Sequence, residues 1–304
     1  MTIYNFGSIN LDHLYQLDHF VRPGETMASN EYQCLLGGKG ANQSAALAKA
    51  GASIKHVGAI HSSDKIILAE LESQGVDVSL VEQLDVPTGH AIIQLTKEAE
   101  NSIILFPGAN HYLSRERVNS VLNKATTDDW ALLQNETNEV DYIIQAAHSR
   151  GVKVAFNPAP MDVALTKSVL PFVSLLIVNE IEAMDLAGVE TIDAAAQALP
   201  EMYPDLAVLM TLGSDGVLYF DGKGSLKVKA FKVSALDTTA AGDTFIGFTL
   251  SALLSGKEIS EAMQFGCAAS AICVTRIGAM SSIPSLDEVS EFLIAHKNDK
   301  TEEV

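Results

Sequence analysis

Asp237-Thr-Thr-Ala-Ala-Gly-Asp-Thr244 runs straight into the apolar segment Phe245 to Leu254, and the reading of this stretch decides the fold. Ala240, Ala241 and Gly242 have side chains too small to block the backbone, and they sit where a helix should begin. Their free N–H groups can converge on an anion with the helix dipole behind them. Asp243 stands at the rim of that anion site, where like charges would repel. Its place is explained if the carboxylate takes a proton from a hydroxyl attacking the phosphorus of a nucleotide, while the amides hold the charge that develops on the phosphate. The same residues also spell a plain helix start with Asp243 as a first-turn cap, so other stretches must decide.

A chain of 304 residues suffices for one large α/β domain with an insertion, or for two domains, and 47% hydrophobic content supplies a core. The formal charge of −18 argues against nucleic acid or an anionic membrane surface as partner, since both need a basic face. The substrate should be neutral or carry its own cations. Arginine occurs only at Arg22, Arg115, Arg117, Arg150 and Arg276, which weakens the case for a sugar phosphate gripped by an arginine cluster. Cys34, Cys267 and Cys273 form no Cys-x-x-Cys pair and read as reduced packing residues. The histidines show no metal-ligand spacing. Ile3 to Ile9 reads as a strand without a basic region and apolar signal core before it, and no apolar run approaches membrane-spanning length. A cytoplasmic enzyme with no membrane partner is expected.

Along the chain, Asn10 and Asp12 follow the first strand at alternate positions, so both side chains point the same way and suit a polyhydroxylated ligand; an Asx-rich turn is the other reading. Short strands near residues 14 to 35, Ala91 to Leu95 and Ser102 to Phe106 fall outside any β-α-β alternation and should form a small separate sheet, a cover over the active site or a dimer surface. Gly37-Gly-Lys-Gly-Ala-Asn42 opens a helix that stops at Gly51. It fits neither a Walker A loop nor a dinucleotide Gly-x-Gly-x-x-Gly pattern. From residue 52 strands and helices alternate, and each polar or glycine-rich element follows the C-terminal end of a strand: Gln134-Asn-Glu136, Asn157-Pro-Ala-Pro160, Asn179-Glu-Ile-Glu182 and Leu212-Gly-Ser-Asp-Gly216. In a doubly wound parallel sheet those ends share one edge, where ligands bind. Asn179 and Glu182 could face a hydrated Mg²⁺ and phosphates, or could simply cap a helix. The charged tail from Lys297 to Val304 is expected to fray.

These segments, in this order, resemble the ribokinase-like (PfkB) family of carbohydrate kinases from Asn5 to about Phe292. The stretches Gly37 to Asn42 and Asp237 to Asp243 are the most specific, and Ala-Ala-Gly-Asp in place of the commoner Gly-Ala-Gly-Asp is similar to the ribokinase branch. The resemblance implies an α/β fold, doubly wound with a mostly parallel sheet between helices, in one domain over residues 1–304, and a small lid sheet over about 12–36 and 89–107 that pairs two subunits. It implies ATP-dependent phosphorylation of the primary hydroxyl of a free pentose, ribose to ribose 5-phosphate. Asp243 would be the base, and Ala240, Ala241 and Gly242 the anion hole. Asn10, Asp12, Gly38, Lys39, Asn42 and Glu136 would hold the sugar. Asn179 and Glu182 would act through Mg²⁺ and phosphate, and Thr211, Gly213, Gly216, Gly242 and Cys267 would line the nucleotide site. Asp237, Thr239, Cys273, Arg276, Gly278 and Ser282 would form a K⁺ site. Phe248, Cys267 and the glycine-free turn His61 to Lys65 depart from the family pattern. A kinase of the same fold acting on deoxyribose, a ketohexose or a nucleoside is the nearest alternative, and a non-catalytic sugar- or nucleotide-binding regulator a more distant one.

Overall fold

Trp130-Ala-Leu-Leu133 sends Ala131 and Leu133 into one buried cluster and Leu132 into another. That alternation between two cores is why the central strands carry apolar residues at nearly every position: helices cover both faces of the sheet. In a computed structural model the described residues are 1–98 and 100–296, so the tail expected to fray, 297–304, lies outside them. The elements are β1 (Ile3–Phe6), β2 (Asn10–Leu17), β3 (Glu31–Gly37), α1 (Lys39–Lys49), β4 (Ile54–His61), α2 (Lys65–Ser73), β5 (Asp77–Leu84), β6 (Gly89–Thr96), β7 (Asn101–Phe106) and α3 (Arg115–Leu122). There follow β8 (Trp130–Gln134), α4 (Val140–Ser149), β9 (Lys153–Asn157), α5 (Val163–Val169), β10 (Leu175–Asn179), α6 (Glu180–Ala187), α7 (Ile192–Met202), β11 (Ala207–Thr211), β12 (Val217–Asp221), β13 (Gly224–Val228), α8 (Ala241–Leu254), α9 (Ile259–Val274) and α10 (Leu286–Ala295).

The large sheet runs parallel in the order β5-β4-β1-β8-β9-β10-β11, and the antiparallel hairpin β12-β13 continues it after β11. Chain order reverses at β1, with β4 on one side and β8 on the other, so a crevice opens at the C-terminal ends of β1 and β8. Helices α1, α2, α8, α9 and α10 bury their apolar residues against one face, and α3 to α7 against the other. The fold is the expected doubly wound α/β architecture.

The second sheet is β3-β2-β6-β7. It includes the expected strand pairs, but β2 and β6 run parallel to each other although more than 70 residues separate them. Its connections to the large sheet converge on Asn110, which closes a two-point pairing with Ile9, accepting from its N–H at 2.9 Å and donating to its carbonyl at 3.2 Å. Thr88, just before β6, accepts from the His61 N–H at 2.8 Å and donates to Asp64 at 2.5 Å. The glycine-free turn after β4 therefore anchors the small sheet through side chains.

Helix α8 reaches the crevice because it lies tight against α1. A Cβ on Gly247 would sit 2.4 Å from Ala46 Cβ and 2.8 Å from the Leu47 nitrogen, so only glycine fits at this crossing. Gly247→Ala gains helix propensity, yet it is expected to lower the stability by about 1–3 kcal/mol because the methyl group meets backbone. Urea unfolding followed by circular dichroism checks this, and an unchanged or raised midpoint would contradict the packing account.

Candidate active site

Ala240 adopts the left-handed conformation, φ 59°, directly before α8. An L-residue other than glycine or asparagine gives up about 1–2 kcal/mol there, so a sharp chain reversal at this point has been retained against its cost. The reversal places Ala240, Ala241, Gly242 and Asp243 on the wall of a cleft of about 210 Å³. First-turn amides have no partners inside their own helix; that of Ala241 makes a 3.2 Å bond back to the Thr238 carbonyl. Gly242 is exposed, and a Cβ built on it meets nothing within 4 Å. Packing within the protein does not demand glycine there, which leaves the approach of a ligand as the reason.

Asp243 receives hydrogen bonds from two side chains of α1: Asn42 Nδ2 to Oδ2 at 3.1 Å and Gln43 Nε2 to Oδ1 at 2.9 Å. Burial raises its pKa above the ordinary carboxylate value, while the Lys39 charge and these two bonds pull it back down. Among the described residues, Lys39 is the one cationic side chain lining the cleft. Burial works against its charge, but the carboxylates of Asp243, Glu136 and Glu182 outweigh that and raise its pKa. The site therefore holds an ammonium among three acids.

On the side facing the small sheet, Asn10 and Asp12 point the same way from β2, as the alternation implies. Asn110 donates to Asn10 Oδ1 at 2.7 Å, so the amide group left to Asn10 is its donor end. Burial, then the charge of Glu136, pushes the Asp12 carboxyl up to about 6. Glu136 accepts from Ser8 Oγ at 2.5 Å and from the Lys39 N–H at 3.0 Å. The glycines of Gly37-Gly-Lys-Gly40 have internal reasons to be glycine. A Cβ on Gly37 would sit 1.9 Å from Asp12 Oδ2, and one on Gly40 would sit 2.3 Å from the Ser8 nitrogen. Gly38 has φ +92°, which favours glycine. Close approach here is of chain to chain.

At the far wall of the cleft, Asn179 and Glu182 form a reciprocal capping box for α6: Asn179 Oδ1 accepts from the Glu182 N–H and Glu182 Oε2 from the Asn179 N–H, each at 2.9 Å. The capping alternative is thus realised, and it leaves Glu182 Oε1 and Asn179 Nδ2 without a bond in that box. Burial raises the Glu182 pKa, against the opposing pull of the bond from the Asn179 N–H and of Lys39. Thr211 lines the same cleft. Gly213 has φ +51° in the turn after β11, and Gly216 is required by the hairpin, because its Cβ would fall 2.0 Å from the Val228 carbonyl oxygen. Cys267 is not among the cleft-lining residues; it is packed in the core, where burial pushes its thiol up to about 12.

Asp237 ties two loops together. Its Oδ1 accepts from the Thr239 N–H and hydroxyl at 2.9 and 2.6 Å, and its Oδ2 from the Gly278 N–H at 2.9 Å. Cys273 contacts the Thr244 hydroxyl at 3.4 Å and that of Ser282 at 3.0 Å. The residues expected around a monovalent cation are therefore neighbours, except that the Arg276 guanidinium turns outward to Glu288. The carbonyl at the end of α9, Val274, accepts from the N–H groups of Leu236 and Asp237 at 2.7 and 3.2 Å.

Gln43, Asn110, Ser8 and Gln134 complete the site and do not stand out in the sequence as site residues. The available signals are faint: Gln43 follows Asn42 in a helix start, Gln134 ends a strand at the shared edge, and Asn110 is marked only by its burial. Three larger hollows lie elsewhere: two, of about 470 and 630 Å³, open at the N-terminal ends of the strands, and one of about 520 Å³ lies between α7 and the β12-β13 hairpin with Asp193 in a first helical turn; none pairs a first-turn carboxylate with a lysine.

The pfkB family carbohydrate kinase model matches residues 3–286. A ribokinase of Haemophilus influenzae is 40% identical over 301 residues, covering 96% of this chain and 98% of the relative. A deoxyribokinase of Salmonella typhimurium is 31% identical, covering 96% and 99%. The structure of Arabidopsis thaliana ribokinase complexed with ribose and ATP superposes with a TM-score of 0.84 at 30% identity, covering 96% of this chain and 98% of that one. The matched span takes in the glycine-rich helix start, the sheet edge and the start of α8 together, and the chain belongs to the pfkB family of carbohydrate kinases and is a phosphotransferase.

Proposed function

We propose that the protein transfers the γ-phosphoryl group of ATP to the primary hydroxyl of free ribose, giving ribose 5-phosphate and ADP. The observation that carries this reading is the place of Asp243: one carboxylate, bonded to Asn42 on the sugar side, on the wall of a cleft lined by a helix start and by Asn179, Glu182 and Thr211. Asp243 takes the hydroxyl proton as the oxygen bonds to phosphorus and the bridging oxygen leaves with ADP. The amides of Ala240, Ala241 and Gly242 hold the charge on the equatorial oxygens. Asn10, Asp12, Gly38, Lys39, Asn42 and Glu136 hold the sugar, and Lys39 also offers its charge to the phosphate. Thr211, Gly213 and Gly216 wrap the nucleotide; Cys267 acts only through the packing behind it.

No group of three or more His, Cys, Asp or Glu side chains able to hold a metal ion occurs among the described residues. One glutamate oxygen and one amide suit a hydrated Mg²⁺ carried in on the nucleotide phosphates, and Glu182 and Asn179 would hold it through water. Such an ion, when bound, neutralises charge on the β- and γ-phosphates. The loops of Asp237, Thr239, Cys273, Arg276, Gly278 and Ser282 suit K⁺: the bonds to Asp237 hold its carboxylate below its ordinary pKa against the opposing effect of burial, so negative charge is fixed there.

The small sheet acts as a lid over the sugar within a single-domain enzyme, and its outer face receives a second copy of the chain. Tyr32, Ile92, Ile104 and Phe106 share the face turned away from Asp12 and are each at least one-third exposed, on a sheet whose edge strand β7 has no strand on its outer side among the described residues. A cytoplasmic location fits an ATP-dependent enzyme with three free cysteines, and no helix among the described residues is long and apolar enough to cross a membrane.

ADP release measured over a panel of ribose, deoxyribose, a ketohexose and a nucleoside, with and without K⁺, should be fastest with ribose. Asp243→Asn should cut turnover by about 10²- to 10⁴-fold and leave sugar binding by calorimetry largely intact. Full turnover in that variant removes Asp243 as the base. The raised pKa of Asp12 sets a pH limit: its ionised form, which accepts from sugar hydroxyls, is lost as pH falls through about 6. The ribose KM at saturating ATP should then rise roughly fourfold between about pH 7.5 and about pH 5.5, and in Asp12→Asn it should stay flat; a flat wild-type profile contradicts the assignment. In sedimentation the wild type should run at twice the chain mass of 32.4 kDa and Ile104→Lys at that of one chain. A wild type that sediments as one chain at all concentrations rules out pairing through the lid.

A further inference from the structure

Behind the cleft floor lies a set of buried amides that the reading above leaves unused, and backbone carbonyls fix their orientation. Asn157, ending β9, lies 3.0 Å from the Ile177 carbonyl, which can only accept, so Asn157 presents its NH₂ there and turns Oδ1 the other way. Gln43, 3.1 Å from that oxygen, must then donate to it. The opposite flank gives the same answer independently. Asn5 donates to the Gly40 carbonyl at 2.8 Å, so its Oδ1 accepts from Gln134 Nε2 at 3.0 Å, and that same nitrogen donates to Gln43 Oε1 at 2.7 Å. Gln43 is thereby held with its acceptor toward Gln134 and its NH₂ toward Asp243 Oδ1, 2.9 Å away. A flipped amide would set its oxygen against two others. Asn5, Gln43 and Gln134 have no exposed surface, so water cannot stand in for any link.

We infer that Gln43 is a positioning residue of the phosphoryl transfer, pinning Oδ1 of Asp243 from beneath so that Oδ2 is the atom that takes the proton of the alcohol. This rests on Asp243 being the base. Asn42, the only side chain among the described residues bonded to Oδ2, belongs to the sugar side and is free to turn to the substrate. Gln43 is bound on three sides and is not. The charged group facing Asp243 is Lys39 on α1, itself ringed by Glu136 and Glu182. From α9, Cys273 meets the neighbourhood of Asp243 at the Thr244 hydroxyl, 3.4 Å away. His56, at the far end of the amide chain through Ser44, is pushed down to about 4 by burial and carries no charge near neutrality. With the sugar engaged, Gln43 is the uncharged donor that keeps favouring the ionised base.

The test is the pH profile of kcat in Gln43→Met, which keeps the chain length and removes the donor. Its acidic limb should move up by about one pH unit, as expected for one lost hydrogen bond to a carboxylate, while the ribose KM changes little. On an Asp243→Ala background the same substitution should lower the residual rate no further. A folded Gln43→Met enzyme with an unmoved limb, beside an inactive Asp243→Asn, overturns the role of Gln43 and leaves the base assignment standing. A fully active Asp243→Asn overturns the base assignment itself. If Gln43→Met does not fold, Gln134→Met, one link further back, decides on the same readout: a smaller upward movement supports the inference and none rejects it.

Discussion

The structure depends on a junction between two helices whose contacting residues lie 200 positions apart in the chain: Asn42 and Gln43 in the first turn of α1 hydrogen-bond Asp243 in the first turn of α8. Both helices begin at the same sheet edge, and each supplies what the other lacks. Helix α8 brings a carboxylate and first-turn amides, and α1 brings neutral donors and the ammonium of Lys39. Burying a carboxylate costs several kcal/mol unless it is bonded or paired, so Asp243 is tolerable at the cleft wall only because α1 meets it there. That meeting in turn needs Gly247, where α8 would otherwise collide with the backbone of Ala46 and Leu47. A packing constraint in mid-helix thus sets the geometry of the chemistry at the helix end.

Electrostatics divide the site. The wall under the small sheet is acidic, with Asp12 and Glu136 close enough for one to raise the other, so it repels an anion and suits a ligand rich in hydroxyls. The nucleotide wall offers helix-start amides and Lys39, which suit phosphate. An overall charge of −18 would repel a polyanion from most of the surface, so the local reversal of sign at the start of α8 is what admits a triphosphate. Asn110 adds direction: by donating to Asn10 Oδ1 it leaves the Asn10 NH₂ as the group free to meet a ligand oxygen.

Much of this was legible in the sequence where the cause is local. Apolar runs covered on both faces, the stop of α1 before Gly51 and the small residues before Asp243 each follow from the chemistry of a few adjacent residues, and each element stands where that chemistry places it. What was not legible depends on distant partners. The parallel pairing of β2 with β6 joins strands more than 70 residues apart, and no local signal fixes their register. Helices α5 and α7 begin at ordinary caps, Asp162 and Thr191, but their apolar stripes are short. The resemblance sets Gly38 against the sugar, whereas its neighbours Gly37 and Gly40 make room for Asp12 and Ser8 of the chain itself. Cys267 reads as a nucleotide neighbour but lies in the core. Gln43 looked like a helix-interior amide because its meaning lies in Gln134, Asn157 and Asp243, none of them near it in sequence.

The central claim is that Asp243 and the amides at the start of α8 flank one reacting phosphoryl group. The most direct measurement is a crystal structure with ribose and a non-hydrolysable ATP analogue bound together. The account requires Asp243 Oδ2 within roughly 3 Å of the primary hydroxyl, with the γ-phosphate oxygens on the amides of residues 240–242 and the hydroxyl in line with the phosphorus. A ternary complex in which the hydroxyl lies beyond reach of Asp243, or the γ-phosphate sits away from that helix start, would contradict it.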